Sequence, residues 1–251
     1  MTESTHNITC LTLVHFDGPD ARKFLQGYLT CDTSTLTRNV WIPGAFCDLK
    51  GRVVVSGWVV ATAAGVDCLI HSGLAETLVQ FLKVYLRFSK TKARIDEASP
   101  LDITFAAVGA SLTQVFIHAP ASQLHVEGPF IETLNQRNLV LITPETTGRF
   151  LPQAIGLVDV GAVAFDKGCY LGQEIVARAE HRGNVKKHLV RLQLKDNVRP
   201  PQLTIINDAS RQKIGAIVQT GTRTALMVAD GVVEDDTRCY IDETEVTPDT
   251  S

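Results

Sequence analysis

The chain has 251 residues, of which 45% are hydrophobic and 20% are charged, and its formal net charge is -3. This is an ordinary globular composition, and the small negative charge excludes any overall attraction to nucleic acid or anionic lipid. The length suits one large domain or two to three small ones. The first residues lack the basic start and apolar core of a signal peptide, so the sequence predicts a cytoplasmic protein.

The N-terminal half is predicted to alternate helices and strands. Pro19 is a favourable first helical residue, and an apolar face follows it. A buried strand at 52–60 and a hairpin partner at 66–71 are predicted. They explain the largely apolar stretch better than a membrane-spanning helix does. A second helix is predicted from about Ser72, because apolar residues recur there at helical spacing.

The second half contains weaker strand signals and then a change of character. Further strands are predicted at 103–108, 115–118 and 138–142. Apolar and polar residues alternate from 190 to 195, which is typical of a strand with one solvent-facing side. Together with strands predicted at 213–219 and 224–229, this pattern predicts a small all-β module at 188–240. The remaining acidic tail, 241–251, is predicted to fray.

Six cysteines are present without a CxxC pair or the spacing of zinc ligands, so we interpret them as free thiols and predict no metal site. Free cysteine usually packs as a small hydrophobic residue. Cys169 differs, because it lies between glycines in KGCYLGQE (167–174), just ahead of a predicted short helix at 173–180. A lysine and a helix N-terminus both stabilise a thiolate. The pattern therefore predicts that Cys169 is a functional thiol and that Lys167 is its electrostatic partner.

The residues around this motif allow more than one interpretation. Tyr170 fits a packing aromatic or a ligand contact, and Glu174 fits an acid at a helix start. Downstream lies a local basic run consisting of Arg178, Arg182, Lys186, Lys187 and Arg191. It fits a phosphate, a carboxylate tail, RNA or an ordinary solvated face. His181 could serve as a base for Cys169.

KGCYLGQE and the following IVARAEHRGNVKKHL closely resemble the signature of the YgfZ family. These are folate-binding proteins related to the glycine-cleavage T-protein, an aminomethyltransferase. Every defined position matches the family pattern lysine-glycine-cysteine-tyrosine-x-glycine-glutamine-glutamate. The similarity extends to four further stretches: GPDARKFLQGYLTCD (18–32), CDLKGRV (47–53), RFSKTKARI (87–95) and GRFLPQAIGL (148–157).

The resemblance implies an α+β, three-lobed T-protein-like fold around a central channel. Two α+β lobes fall within 1–187, and a small C-terminal β-barrel occupies 188–240. It also implies a tetrahydrofolate or derivative as cofactor, and a role in assembly or repair of iron–sulfur enzymes, including one that modifies tRNA. The implied partners are folate and iron–sulfur client enzymes, with no membrane and no direct nucleic-acid binding. The residues expected to bind the cofactor are Phe130, Tyr170, Gln173, Glu174, Arg178 and Arg182.

One departure from the T-protein pattern bears on activity. The T-protein carries a pair of aspartates in the strand after its glycine turn, and Val55 and Ser56 stand at that place here. Aminomethyl transfer by that mechanism is therefore not expected. Two alternatives stay open: a folate-dependent transferase with Asp48 or Glu174 as a replacement acid, and an RNA- or protein-binding module that uses 178–191.

Overall fold

The structure is a computed structural model that describes residues 4–96, 101–108, 112–118, 127–181 and 186–249. The described strands are β1 (Ser4–Ile8), β2 (Leu11–Asp17), β3 (Ile42–Cys47), β4 (Val53–Ala61), β5 (Gly65–His71), β6 (Lys92–Ile95), β7 (Leu101–Val108), β8 (Leu112–His118), β9 (His188–Gln193), β10 (Ile205–Asn207), β11 (Lys213–Thr220), β12 (Thr224–Ala229), β13 (Cys239–Ile241) and β14 (Thr244–Asp249). The described α-helices are α1 (Ala21–Gln26), α2 (Ala75–Leu86), α3 (Glu127–Gln136) and α4 (Gln173–His181).

The first structural unit is a five-stranded antiparallel sheet in the order β3-β4-β5-β2-β6. Strands β4 and β5 pair from Gly57 with Ile70 to Ala61 with Val66. This pairing confirms that the apolar stretch 53–70 is a hairpin, because two buried strands satisfy their backbone polar groups on each other. Within the described ranges, no helix has both the length and the apolar character that crossing a membrane requires.

Helix α3 joins a second, three-stranded sheet to the rest of the protein. This sheet has the order β1-β7-β8. Phe130 and Leu134 lie one helical turn apart on α3 and pack into a buried cluster with Trp58 and Leu69 of the first sheet. The same helix contacts β11 and β12 of the C-terminal unit. It therefore lies where all three units meet.

The prediction of a strand at 138–142 is wrong: residues 139–142 are buried but belong to no strand. Side chains take the place of a neighbouring strand. Ser56 Oγ donates to Val140 O at 3.0 Å and accepts from Ile142 N at 2.9 Å. Gln219 accepts from Leu141 N and donates to Leu139 O, both at 2.9 Å. These bonds satisfy buried backbone groups without a ladder, which no periodicity in the sequence reveals.

The C-terminal unit is a closed six-stranded barrel in the order β10-β11-β12-β9-β14-β13. It confirms the predicted β module, but the expectation of a fraying tail is wrong for β14. That strand pairs with both β9 and β13, and Val246 is buried in the barrel core. Pairing of β14 closes the barrel and removes two open strand edges, which explains why this acidic, turn-like sequence is ordered.

Glu132 of α3 fastens the helix to the turn between β11 and β12. Its carboxylate accepts hydrogen bonds from Arg223 N, from Thr224 N and Oγ1, and from Thr222 Oγ1, at 2.9 to 3.3 Å. Burial by itself raises the pKa of this carboxyl, but the hydrogen bonds from Arg223 and Thr224 outweigh it and lower the pKa.

We expect Glu132→Gln to lower the free energy of unfolding at pH 7 by about 2 kcal/mol, because bonds to a charged acceptor are lost. A carboxyl with a lowered folded pKa stabilises above its unfolded pKa, and the contribution is lost as the pH falls through the folded value. The gap between wild type and variant should therefore narrow below about pH 4. Urea unfolding against pH measures it, with exposed Glu76→Gln as the control. A gap that does not change with pH contradicts this assignment.

Candidate active site around Cys169

The cysteine motif runs across the surface of the first unit and ends in helix α4. Leu171 N donates to Gly27 O at 2.9 Å, which ties the motif to the end of α1. Gly172 has φ of +82°, and a Cβ there would lie 2.3 Å from Asp48 O. Only glycine permits this approach. The structure thus brings together the two most specific stretches of the sequence, the cysteine motif and the CDLKGRV turn.

Lys167 is nearly buried and points into the protein. Its Nζ donates to Leu29 O at 2.7 Å and to Cys31 O at 2.9 Å, and it lies 5.1 Å from the ring centroid of Tyr170. Burial lowers the pKa of this ammonium from 10.5 to about 8. These contacts make Lys167 an anchor for the motif, and they give no support to the predicted pairing with the Cys169 thiolate.

We expect Lys167 to leave a signature in the pH dependence of stability. Because its folded pKa lies below its unfolded pKa, the unfolded chain holds more protons between about pH 8 and pH 10.5. This group therefore makes the free energy of unfolding rise with pH in that window, by up to about 1 kcal/mol per pH unit.

The measurement is urea unfolding of wild type and Lys167→Met at pH 7, 9 and 10, since only their difference isolates this lysine from other titrating groups. Lys83→Met, at an exposed site on α2, is the matched control. The quantity compared is the free energy of unfolding of wild type minus that of Lys167→Met. If this difference changes with pH no more than the corresponding difference for Lys83→Met, the ammonium of Lys167 is not desolvated.

Cys169 is the one exposed thiol among the six cysteines, all of which are described. Cys10 is half-buried and the other four are buried. Burial raises the pKa of Cys31 and of Cys47 to about 12, and it raises the pKa of Cys68 well above its ordinary value. Since the thiolate is the reactive form, chemistry at these buried thiols is suppressed, and Cys169 is the thiol that a reagent can reach most readily.

The residues after Cys169 divide into structural and exposed members. Tyr170 is buried, burial raises its pKa, and its hydroxyl has no hydrogen-bond partner among the described residues. Gln173 accepts from Tyr170 N at 3.2 Å and so holds the turn into α4. Glu174 and Arg178 are exposed and form an ion pair across one helical turn. Of the predicted cofactor residues that the structure describes, Glu174 and Arg178 are thus the two that are exposed to solvent.

Phe130, another predicted cofactor residue, is not placed for contact with a ligand. Phe130 has no exposed surface and packs among aliphatic side chains and Trp58, so neither face of its ring is open to a ligand. The prediction of stacking from Phe130 is corrected accordingly. The reason is that its position on α3 directs it into the junction of the three units. Arg182 lies outside the described residues.

The side chains considered for acid or base chemistry are not placed to act beside Cys169, because they are hydrogen-bonded within the protein or lie far from the thiol. Asp48 Oδ1 accepts from Lys50 N and Arg52 N, at 2.9 and 2.8 Å, and so is part of the turn. Ser56 is 2% exposed and bonded to the 140–142 segment. His181 ends helix α4, about 12 Å along the axis from its start at about 1.5 Å per residue, whereas Cys169 precedes that start. The helix does not bring His181 towards the thiol.

The described members of the basic run do not form one stripe. Lys187 pairs with Asp230 at 2.8 Å, and Arg191 pairs with Asp249 at 3.0 Å. Lys186 and Lys187 instead face three cations that the sequence reasoning missed, which are Lys50, Arg52 and Arg149. Those three belong to the 47–53 and 148–157 stretches, and only folding brings them next to the end of the basic run.

No protein-family profile matches the chain. Similarity to a curated protein is decisive instead: the tRNA-modifying protein YgfZ of Klebsiella pneumoniae (strain 342) is 30% identical over 220 residues, covering 70% of this chain and 67% of that protein. The chain belongs to the YgfZ family. The YgfZ protein of Escherichia coli (strain SE11) is 28% identical over 220 residues, covering 70% of this chain and 68% of its own length.

A solved structure shows the fold of this YgfZ-family chain. The glycine cleavage system aminomethyltransferase T from Bartonella henselae matches with a TM-score of 0.71, over 98% of this chain and 84% of that one. The identity is 13%, so the match shows a shared T-protein fold and nothing about activity. It confirms the α+β T-protein-like architecture expected of a YgfZ family member.

Proposed function

We propose that this protein binds a reduced folate and supports the assembly or repair of iron–sulfur enzymes that modify tRNA, with Cys169 as its functional thiol. The observation that carries the proposal is the exposure of Cys169 within an intact YgfZ motif, while four of the other thiols are buried and Cys10 is half-buried. The relatives are named tRNA-modifying proteins, which supports a role in tRNA modification.

The chemistry of the exposed thiol suits this role. Thiolates are the usual ligands of iron–sulfur clusters, and an accessible thiolate can also exchange with a disulfide. Cys169 lies between Gly168 and the turn at Gly172, and an added Cβ at Gly168 would meet no atom within 4 Å. A bulky protein partner can therefore approach the sulfur closely.

The folate part of the proposal is supported by the shared T-protein fold and only in part by the predicted residues. Arg178 is exposed and can exchange its bond to Glu174 for a carboxylate of a glutamate tail. Phe130 is buried and offers no stacking face. Phe130 therefore does not support the pterin end of the proposal, and the other predicted contacts stay predictions.

The decisive test combines complementation with titration. In a bacterial strain that lacks its own YgfZ protein, wild type should restore tRNA modification, Cys169→Ser should fail, and Cys10→Ser should succeed as the thiol control. Calorimetry with tetrahydrofolate and its polyglutamates should show binding. Full complementation by Cys169→Ser removes the thiol from the function, and absence of binding at millimolar folate removes the cofactor.

The transferase alternative has its own test. A carboxylate is needed to act on the folate nitrogen, but Val55 and Ser56 are neutral and buried, and Asp48 is bonded within its turn. A glycine-cleavage assay with lipoyl carrier protein and tetrahydrofolate should show no turnover above background. Turnover would revive the transferase reading.

A further inference from the structure

A cationic groove lies beside the cysteine motif, between the turn from β3 to β4, the segment 149–154 and helix α4. Its volume is about 370 Å³, a size that suits a small ligand or one nucleotide-sized unit. The floor is apolar and consists of Phe150, Leu151, Ala154, Ile175 and Ala179. The rim consists of Lys50, Arg52, Arg149, Lys186 and Lys187, and no described acidic residue lines the groove.

Most of the positive charge on this rim is not neutralised within the protein. Among the described residues, Lys187 is the only one of the five cations that pairs with a carboxylate. Arg52 Nη1 donates to the backbone carbonyls of Gly148 and Arg149, at 3.4 and 3.3 Å. Arg149 Nε donates to Glu145 O at 2.8 Å. These bonds fix both guanidinium groups at the rim and leave further donors for a ligand.

The convergence of these cations contrasts with the rest of the molecule. The whole chain has a net charge of -3, so an anionic polymer is not attracted to the surface in general. The five cations come from three separate stretches, 50–52, 149 and 186–187, and they share one groove. A polyanion is therefore expected to bind here, because five cations line one groove and four of them have no carboxylate partner among the described residues.

We propose that this groove binds a single-stranded RNA segment, with phosphates on the cationic rim and a sugar or base over the apolar floor. The choice of RNA rather than another polyanion rests on the proposed role in tRNA modification. Lysine and arginine contacts to phosphates supply most of the sequence-independent affinity for nucleic acids. The sequence predicted no direct nucleic-acid binding, because net charge does not reveal cations that only folding brings together.

An acidic peptide is the main competing occupant, since carboxylates would also suit the rim. RNA is favoured by the apolar floor of the groove, because a base or sugar can cover that floor while its phosphates reach the cationic rim. An acidic side chain offers a carboxylate to the rim but no comparable apolar face. The two occupants differ in a measurable way. RNA binding depends steeply on salt, with a logarithmic slope of about -0.7 per phosphate contact for single strands.

The test is fluorescence anisotropy with a labelled single-stranded RNA of mixed sequence, about 12 nucleotides long, at salt from about 50 to about 200 mM. Contacts from the four unpaired cations predict a slope near -3, at about -0.7 each. The Lys50→Gln/Arg149→Gln double variant should bind about tenfold more weakly at low salt, and its slope should be smaller by about 1.4.

Two matched variants separate charge from folding. Lys50→Arg/Arg149→Lys keeps both charges and should bind within about twofold of wild type. Lys195→Gln/Arg199→Gln removes two exposed cations outside the groove and should leave both affinity and slope unchanged. If the groove variant and this control behave alike, the groove is not the RNA site. Displacement of the RNA by polyglutamate of equal charge at equal or lower concentration would overturn RNA in favour of an acidic peptide.

The outcome is independent of the thiol and the folate. Cys169→Ser should bind this RNA as wild type does. Failure of RNA binding with folate binding and the Cys169 phenotype intact overturns this proposal alone. If Cys169→Ser complements fully, or if no folate binds, the proposed function is overturned. RNA binding that persists in those cases still supports the groove as an RNA site.

Discussion

Gly172→Ala is expected to lower the free energy of unfolding by at least about 3 kcal/mol. Two physical terms combine at this position. The backbone φ of +82° is unfavourable for any residue with a Cβ, by about 1 to 2 kcal/mol. In addition, the new Cβ would lie 2.3 Å from Asp48 O and 3.1 Å from Gly51 Cα. Both neighbours are backbone atoms of a hydrogen-bonded turn, so neither can move aside without breaking that turn.

Gly148→Ala is the matched control because it isolates the first term. Gly148 has a similar φ of +68°, but an added Cβ there would meet no atom within 4 Å. We expect this variant to lose only about 1 to 2 kcal/mol. Urea unfolding measures the loss in free energy of unfolding for each variant. The loss at Gly172 minus the loss at Gly148 gives the contribution of the contact between the cysteine motif and the turn. Equal losses at the two glycines would mean that Gly172 is required for its backbone conformation alone.

Cys169 is expected to react with iodoacetamide at least about a thousandfold faster than Cys68 at neutral pH. Cys169 is exposed, whereas Cys68 has no exposed surface and its pKa is raised by burial. A buried thiol reacts only when the protein opens, and opening of a core strand costs a large part of the global stability. The exposure of Cys169 and the raised pKa of Cys68 therefore both make Cys169 the faster-reacting thiol.

The measurement is quenched labelling followed by mass mapping of the cysteine peptides. Cys10 is half-buried and should label at an intermediate rate, which provides an internal scale. The same time course in a denaturant should bring all six cysteines to similar rates. A native-state rate for Cys169 no greater than that for Cys68 would contradict the accessible thiol on which the proposed function depends.

The sequence determined the features that depend on neighbours along the chain. The β4–β5 hairpin follows from two apolar runs separated by turn residues, and strand β9 of the barrel follows from alternation of apolar and polar residues. The exposure of Cys169 agrees with its polar, glycine-rich surroundings. Each of these features depends on residues that are close together along the chain, so the local sequence pattern predicts it.

Only the tertiary structure decided the features that depend on distant partners. It placed Phe130 in the core, turned Lys167 inward onto Leu29 and Cys31, and ordered β14 by closing the barrel. It also gathered the cations of the groove. A side chain's burial and charge environment are set by whichever segments fold against it, and local composition does not specify those segments. The sequence therefore identified the motif, whereas folding determined which of its residues anchor it to the protein and which are exposed to solvent.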